Sequence, residues 1–213
     1  MQQLKPILEN RRHLYKILGS LYQTEIDSDS LKALKEFRFP EGSDDEALNE
    51  AGRSLNGFIA DLREDGLDDL AADYARTFLS AGVADEPAAF PIESVYTSPA
   101  KLIMQDAYEA MAKILHAHGL SSKQDDLYPD HLGIELEFMG VLNDKALDLL
   151  EKSQESALVD NLQEQKNFQE SHLLNWTEKF FDDQKSVART PFYRALGEFS
   201  RAFLLQDHAW LSA

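Results

Sequence analysis

A chain of 213 residues, 43% hydrophobic and 28% charged, carries enough apolar material for a sizeable core and does not have the composition of a disordered protein. Asp and Glu outnumber Lys and Arg 38 to 21, giving a net charge of −17, a surface that repels phosphate backbones and anionic lipid and argues against nucleic-acid and membrane partners. Cysteine is absent, which excludes disulfides, thiolate zinc sites, iron–sulfur ligation and thiol nucleophiles.

No apolar run reaches the length of a membrane span. The first twenty residues interleave charge with apolar side chains and do not read as a secretory signal, so the expected location is cytoplasmic. Helical periodicity then dominates. Leu4, Ile7, Leu8, Leu14, Tyr15, Leu18 and Tyr22 share one side of a first helix. Residues 44–62 predict a second and residues from about Gly66 to Leu79 a third. A fourth is predicted from Ser98 or Pro99, carrying Leu102, Ile103, Ala107, Met111 and Leu115 and stopped by Gly119.

In the second half Pro129 suits the first turn of a helix whose face is Leu132, Leu136, Met139, Ala146 and Leu149. Leu158, Leu162, Gln165, Phe168, His172, Trp176 and Phe180 form another stripe, and a last helix follows Pro191. Alternating strand patterns are absent. The fold class is therefore all-α, a single domain over 1–213. Two stretches interrupt the rhythm, 80–99 with three prolines and 119–130. The second is the expected hinge between an N-terminal half of about 1–120 and a C-terminal half of about 131–213.

Chemical motifs are scarce. His116 and His118 point to different sides of a helix; His131 and Glu135 share a face, but two ligands do not make a metal site. No phosphate-binding glycine loop and no nucleophile elbow occur, so neither a metal, a cofactor nor an enzymatic activity is expected. Two segments stand out instead. In Tyr128-Pro129-Asp130-His131 the residues either start a helix, with Asp130 at its positive end, or present a polar grip to a ligand. In the proline-rich loop, Ile92 to Tyr96 forms a packed turn or lines a groove; both readings stay open at this point.

The ordered set 74–79 (YARTFL), 93–96 (ESVY), 128–132 (YPDHL), 135–139 (ELEFM) and 172–176 (HLLNW) resembles the TorD/DmsD/NarJ family of cytoplasmic molybdoenzyme chaperones over roughly Leu14 to Phe203. That family's hinge motif usually begins with Glu, where this chain has Tyr128. The resemblance implies a helical bundle of the TorD/DmsD type that binds the twin-arginine signal peptide and the apo form of a molybdopterin-containing reductase. It also implies that export waits for cofactor insertion, and it brings weak GTP binding and a monomer or domain-swapped dimer within the family's range. Arginine favours carboxylates in planar, charge-assisted pairs, so the leader needs acceptors beside an oily groove. Glu93 and Asp130 are the expected acceptors, with Ser94, Tyr96, Tyr128, Pro129, His131 and Phe138 completing the signal-peptide site. A GTP-binding switch and a structural subunit of a redox complex are the alternative readings.

Overall fold

The computed structural model describes residues 4–79, 88–120 and 127–213. Among the described residues there are ten α-helices: α1 (Leu4–Gln23), α2 (Ser28–Glu36), α3 (Glu46–Asp61), α4 (Leu67–Leu79), α5 (Glu93–Thr97), α6 (Asp106–Ala117), α7 (Leu132–Glu151), α8 (Glu155–Phe168), α9 (Thr177–Val187) and α10 (Pro191–Leu211). A 3₁₀ turn (Glu64–Gly66) precedes α4 and a π-helical turn (Gln169–Leu173) follows α8. Among the described residues the extended pairing is one antiparallel bridge, Ile92 to His131, so the all-α expectation holds. No described helix is long and apolar enough to cross a membrane.

Several boundaries depart from the sequence reading, each for a local reason. Helix α2 has only Leu31 and Leu34 buried, too few for a periodic signal, and is started by Asp27, whose carboxylate accepts from the Ser30 N–H at 2.7 Å. The helix expected from residue 98 begins at Asp106, because Lys101 (φ 53°) and Met104 (φ 59°) adopt left-handed backbone that no α-helix admits. Leu102 and Ile103 consequently stand in solvent, 57% and 40% exposed. Gly119, at φ 68°, does close α6 as expected. The stripe from Leu158 to Phe180 is divided between α8, the π turn and α9. Pro129 lies before α7 and not within its first turn, since the helix opens at Leu132 with His131 as its N-cap.

The chain forms two compact units interleaved along the sequence, with borders after Gln23, Phe90, Trp176 and Gln206. The expected partition at 119–130 falls inside the first unit, and its residues 121–126 lie outside the described residues, as do 80–87 of the proline-rich stretch.

In the first unit α1 lies along α7. The two helices approach closely because neither Gly19 nor Gly133 has a side chain. A Cβ on Gly133 would stand 2.8 Å from the Gly19 carbonyl oxygen and 2.4 Å from Gln23 Cγ. Leu8, Ala146, Leu147, Leu149 and Leu158 form an apolar cluster against which Trp210 packs. Beside it runs a buried polar network. Arg11 donates to both oxygens of Asp207 (Nε 2.5 Å, Nη2 2.9 Å) and to Asn143 Oδ1 (3.0 Å). Tyr15 OH and Gln169 Nε2 donate to Asp207 Oδ2 at 2.6 and 2.7 Å. Burial disfavours the Arg11 guanidinium, but the Asp207 carboxylate outweighs it and holds the pKa above its ordinary value. A buried ion pair is tolerable when hydrogen bonds such as these support its charged atoms.

In the second unit Phe39 meets Phe199 edge-on at 4.9 Å and Phe78 meets Tyr193 at 5.5 Å. Asp73 on α4 accepts from the backbone N–H groups of Arg189 (3.0 Å) and Thr190 (2.7 Å) and from Thr190 Oγ1 (2.6 Å). It thereby fixes the turn into α10, which begins at Pro191, where a missing N–H costs nothing.

Candidate functional site

The site is built in the first unit around the start of α7. Pro129 bends the chain, and His131 N–H closes the turn on the Tyr128 carbonyl at 3.0 Å. Two further backbone bonds join this turn to the segment before α5: Glu93 N–H to the Asp130 carbonyl (2.9 Å) and Leu132 N–H to the Pro91 carbonyl (2.8 Å). Asp130 Oδ2 then accepts both the N–H and the O–H of Ser94, at 3.0 and 2.5 Å. Ser94 Oγ in turn accepts from Gln105 N–H at 3.2 Å, so one carboxylate organises three segments.

Asp130 is fully buried and His131 is 5% exposed. Burial pushes the Asp130 carboxyl upward against the opposing effect of the Ser94 hydrogen bonds. It pulls His131 down to about 4, so the imidazole is neutral at neutral pH, as its role requires. Nδ1 accepts the Gly133 N–H at 3.1 Å and caps α7. In this conformation neither side chain faces solvent. Helix initiation accounts for the contact of His131, whereas the Asp130 carboxylate joins the turn to Ser94 on α5 and makes no bond to the start of α7.

Glu93 occupies a different position in the network. At 3% exposure its Oε2 lies 2.9 Å from His172 Nδ1, and its Oε1 accepts from Asn175 Nδ2 at 2.8 Å. Glu135, one turn into α7, is completely buried; it lies beside Glu93 and the Trp176 indole, but that N–H donates to the His172 carbonyl at 2.7 Å and neither Glu135 oxygen has a donor at hydrogen-bond geometry. Burial, and then the neighbouring charge of Glu93, raise its pKa well above the ordinary carboxylate range.

His172 leads from this buried group to the surface. It is one wall of a cleft of about 270 Å³ formed with Ile114, His118, Phe138, Glu164 and Phe168. Phe138 is held edge-on to His118 at 4.9 Å and tilted against Phe168 at 4.8 Å. Phe168 stacks on His172 at 5.2 Å. Glu164 at the rim accepts from His118 Nε2 at 2.9 Å, with Lys145 Nζ 3.7 Å away. The cleft is an aromatic trough with one partly exposed carboxylate.

The structure thus brings Glu93, Ser94, Pro129, Asp130 and His131 into one network and puts Phe138 in the cleft. Tyr96 and Tyr128 are half-buried, each in its own aromatic pair, with Trp176 (5.3 Å) and Tyr108 (6.2 Å). The residue-level reading did not assign Glu135, Glu164, Phe168, His172 or Asn175 to the site. Their partners are distant in sequence, and no local spacing marks them.

The fold is similar to that of a redox enzyme maturation protein from Archaeoglobus fulgidus. That structure covers 95% of this chain and 94% of its own, with a TM-score of 0.51 at 15% identity, a likeness of fold. The nitrate reductase delta subunit family matches residues 41–182, and the chain belongs to this family, that of TorD and NarJ. A chaperone protein TorD from Vibrio cholerae is 32% identical over 97% of this chain and 94% of its own length. TorD chaperones from Vibrio vulnificus and Photobacterium profundum are each 28% identical over 99% of the chain.

Proposed function

We propose that the protein is a cytoplasmic chaperone for a molybdenum-containing redox enzyme, and that it holds the twin-arginine leader of that client in the cleft beside His172. The observation carrying this reading is the pairing of an aromatic trough, Phe138 and Phe168, with the rim carboxylate Glu164. An apolar leader segment loses water against the trough, while an arginine exchanges the weaker donors on Glu164 for a planar, charge-assisted pair. The net charge of −17 speeds capture of a basic peptide and makes it salt-dependent.

Family membership supports the chaperone role. The burial of Asp130 and His131 supports a scaffold role for them and favours the adjoining cleft as the contact surface. Binding involves no covalent step, and release of the leader after cofactor insertion frees the client for export.

Calorimetric titration with a twin-arginine leader peptide tests the reading. Binding is expected, to weaken when both arginines become glutamine, and to weaken again in Glu164→Gln and in Ser171→Trp, which fills the cleft from its exposed edge. Equal affinity for the two peptides removes the arginine recognition. Unchanged affinity in both variants removes the cleft.

A further inference from the structure

We propose that Glu93, Glu135 and His172 form a binding site for one divalent transition-metal cation. The three side chains come from α5, α7 and the π-helical turn, and each offers a ligand atom within 4.8 Å of the other two. Bonds of about 2.0–2.2 Å from one ion to two carboxylate oxygens and an imidazole nitrogen fit that spacing after small side-chain rotations. The set contains no thiolate; mixed oxygen and nitrogen donors suit Zn²⁺, Mn²⁺ or Fe²⁺.

Glu135 supplies the observation that an acidic cluster alone would lack. It is completely buried, both of its oxygens are without a hydrogen-bond donor, and they face a second buried carboxylate. Buried polar atoms in folded proteins nearly always have partners, so two orphan acceptors on one side chain point to a species that the protein atoms do not supply. A cation would bridge one oxygen of each carboxylate and offset the charge of both.

The surroundings match those of a metal site in two further ways. Asn175 Nδ2 donates to Glu93 Oε1 at 2.8 Å, orienting that carboxylate from outside and leaving Oε2 turned toward His172. His172 sits on the π-helical turn, a distortion that shifts one side chain out of helical register and recurs at functional positions. It also lines the cleft of about 270 Å³ with its side chain 13% exposed, which gives an ion a path from solvent to the buried carboxylates.

The test titrates Zn²⁺ into the full-length, chelator-treated protein and follows heat. One saturable equivalent is expected, with affinity at least about tenfold weaker in Glu135→Gln and in His172→Gln. Glu137→Gln, exposed on the same helix, should bind as the unaltered protein does. Absence of a saturable single equivalent overturns the proposal, as does equal affinity across all variants, which would place the ion on exposed carboxylates. Should a variant fail to fold, Co²⁺ added to the unaltered protein decides. Visible absorption of a low-coordinate nitrogen–oxygen site supports the assignment, and the weak spectrum of an octahedral aquo-carboxylate ion sinks it.

Discussion

Asp130 accepts two hydrogen bonds from Ser94, one from its backbone and one from its hydroxyl, across 36 positions of sequence, and both residues are fully buried. The pair ties the turn before α7 to α5, so the geometry of the polar network depends on it more than on any single apolar contact. Replacing Asp130 by alanine leaves a buried N–H and a buried O–H unmatched, each costing about 1–3 kcal/mol. Asp130→Ala is therefore expected to lower unfolding stability by about 3 kcal/mol, measured by urea denaturation. Asp130→Asn retains an acceptor for Ser94 and removes a carboxylate that burial already disfavours, so its loss should be below about 1.5 kcal/mol. Equal losses in the two variants would show that the Ser94 bonds contribute little.

His131 makes the fold sensitive to mild acid. Its folded pKa is about 4, against an ordinary value of 6.5 in the unfolded chain, because burial disfavours the imidazolium. Above pH 6.5 both states hold it neutral, and its contribution is constant. As the pH falls from 6.5 toward 4 the unfolded state gains a proton that the folded state refuses, and stability declines by about 3 kcal/mol in total. Protonation at Nδ1 also removes the acceptor for Gly133 N–H. Asp130 and Glu135, both pushed upward, act with the opposite sign. The comparison is therefore the stability of the unaltered protein minus that of His131→Gln at each pH. This difference should shrink steadily from pH 6.5 to about 4; a difference independent of pH would mean that His131 titrates normally.

Gly133 sets the spacing of α1 and α7. Adding a methyl group places it 2.4 Å from Gln23 Cγ and 2.8 Å from the Gly19 carbonyl oxygen, and the second of these is backbone that cannot turn aside. Gly133→Ala is expected to destabilise by about 1–3 kcal/mol despite the higher helix propensity of alanine. Gly57→Ala, on α3, meets nothing within 4 Å of the new Cβ and should stabilise by up to about 1 kcal/mol. Thermal melts of the two variants, moving in opposite directions, check both statements.

The Arg11–Asp207 pair should behave as a unit. Arg11→Met strands a buried carboxylate that keeps only Tyr15 and Gln169 as donors, and a loss of about 3–5 kcal/mol is expected. Arg11→Met combined with Asp207→Leu removes the charge as well and should recover part of that loss. A double variant no more stable than Arg11→Met, in chemical denaturation, would show that the unpaired charge was not the source of the cost.

Composition and apolar periodicity were sufficient to determine that this protein is helical, since spacing along one chain reports directly on which face of a helix is buried. They located α1, α3, α4, α7 and α10, while the resemblance carried by the ordered motifs pointed to the family. They did not determine what Asp130 and His131 do. A polar residue at a helix start looks the same in sequence whether its partner is a ligand or a serine 36 positions away, and only the folded chain supplies Ser94 and removes the water. The same limit kept Leu102 and Ile103 on an expected helix that two left-handed residues prevent. It also hid the meeting of Glu93, Glu135 and His172. Burial, hydrogen-bond satisfaction and the convergence of distant side chains are properties of packing, and for this protein packing decides which carboxylates are structural and which still lack a partner.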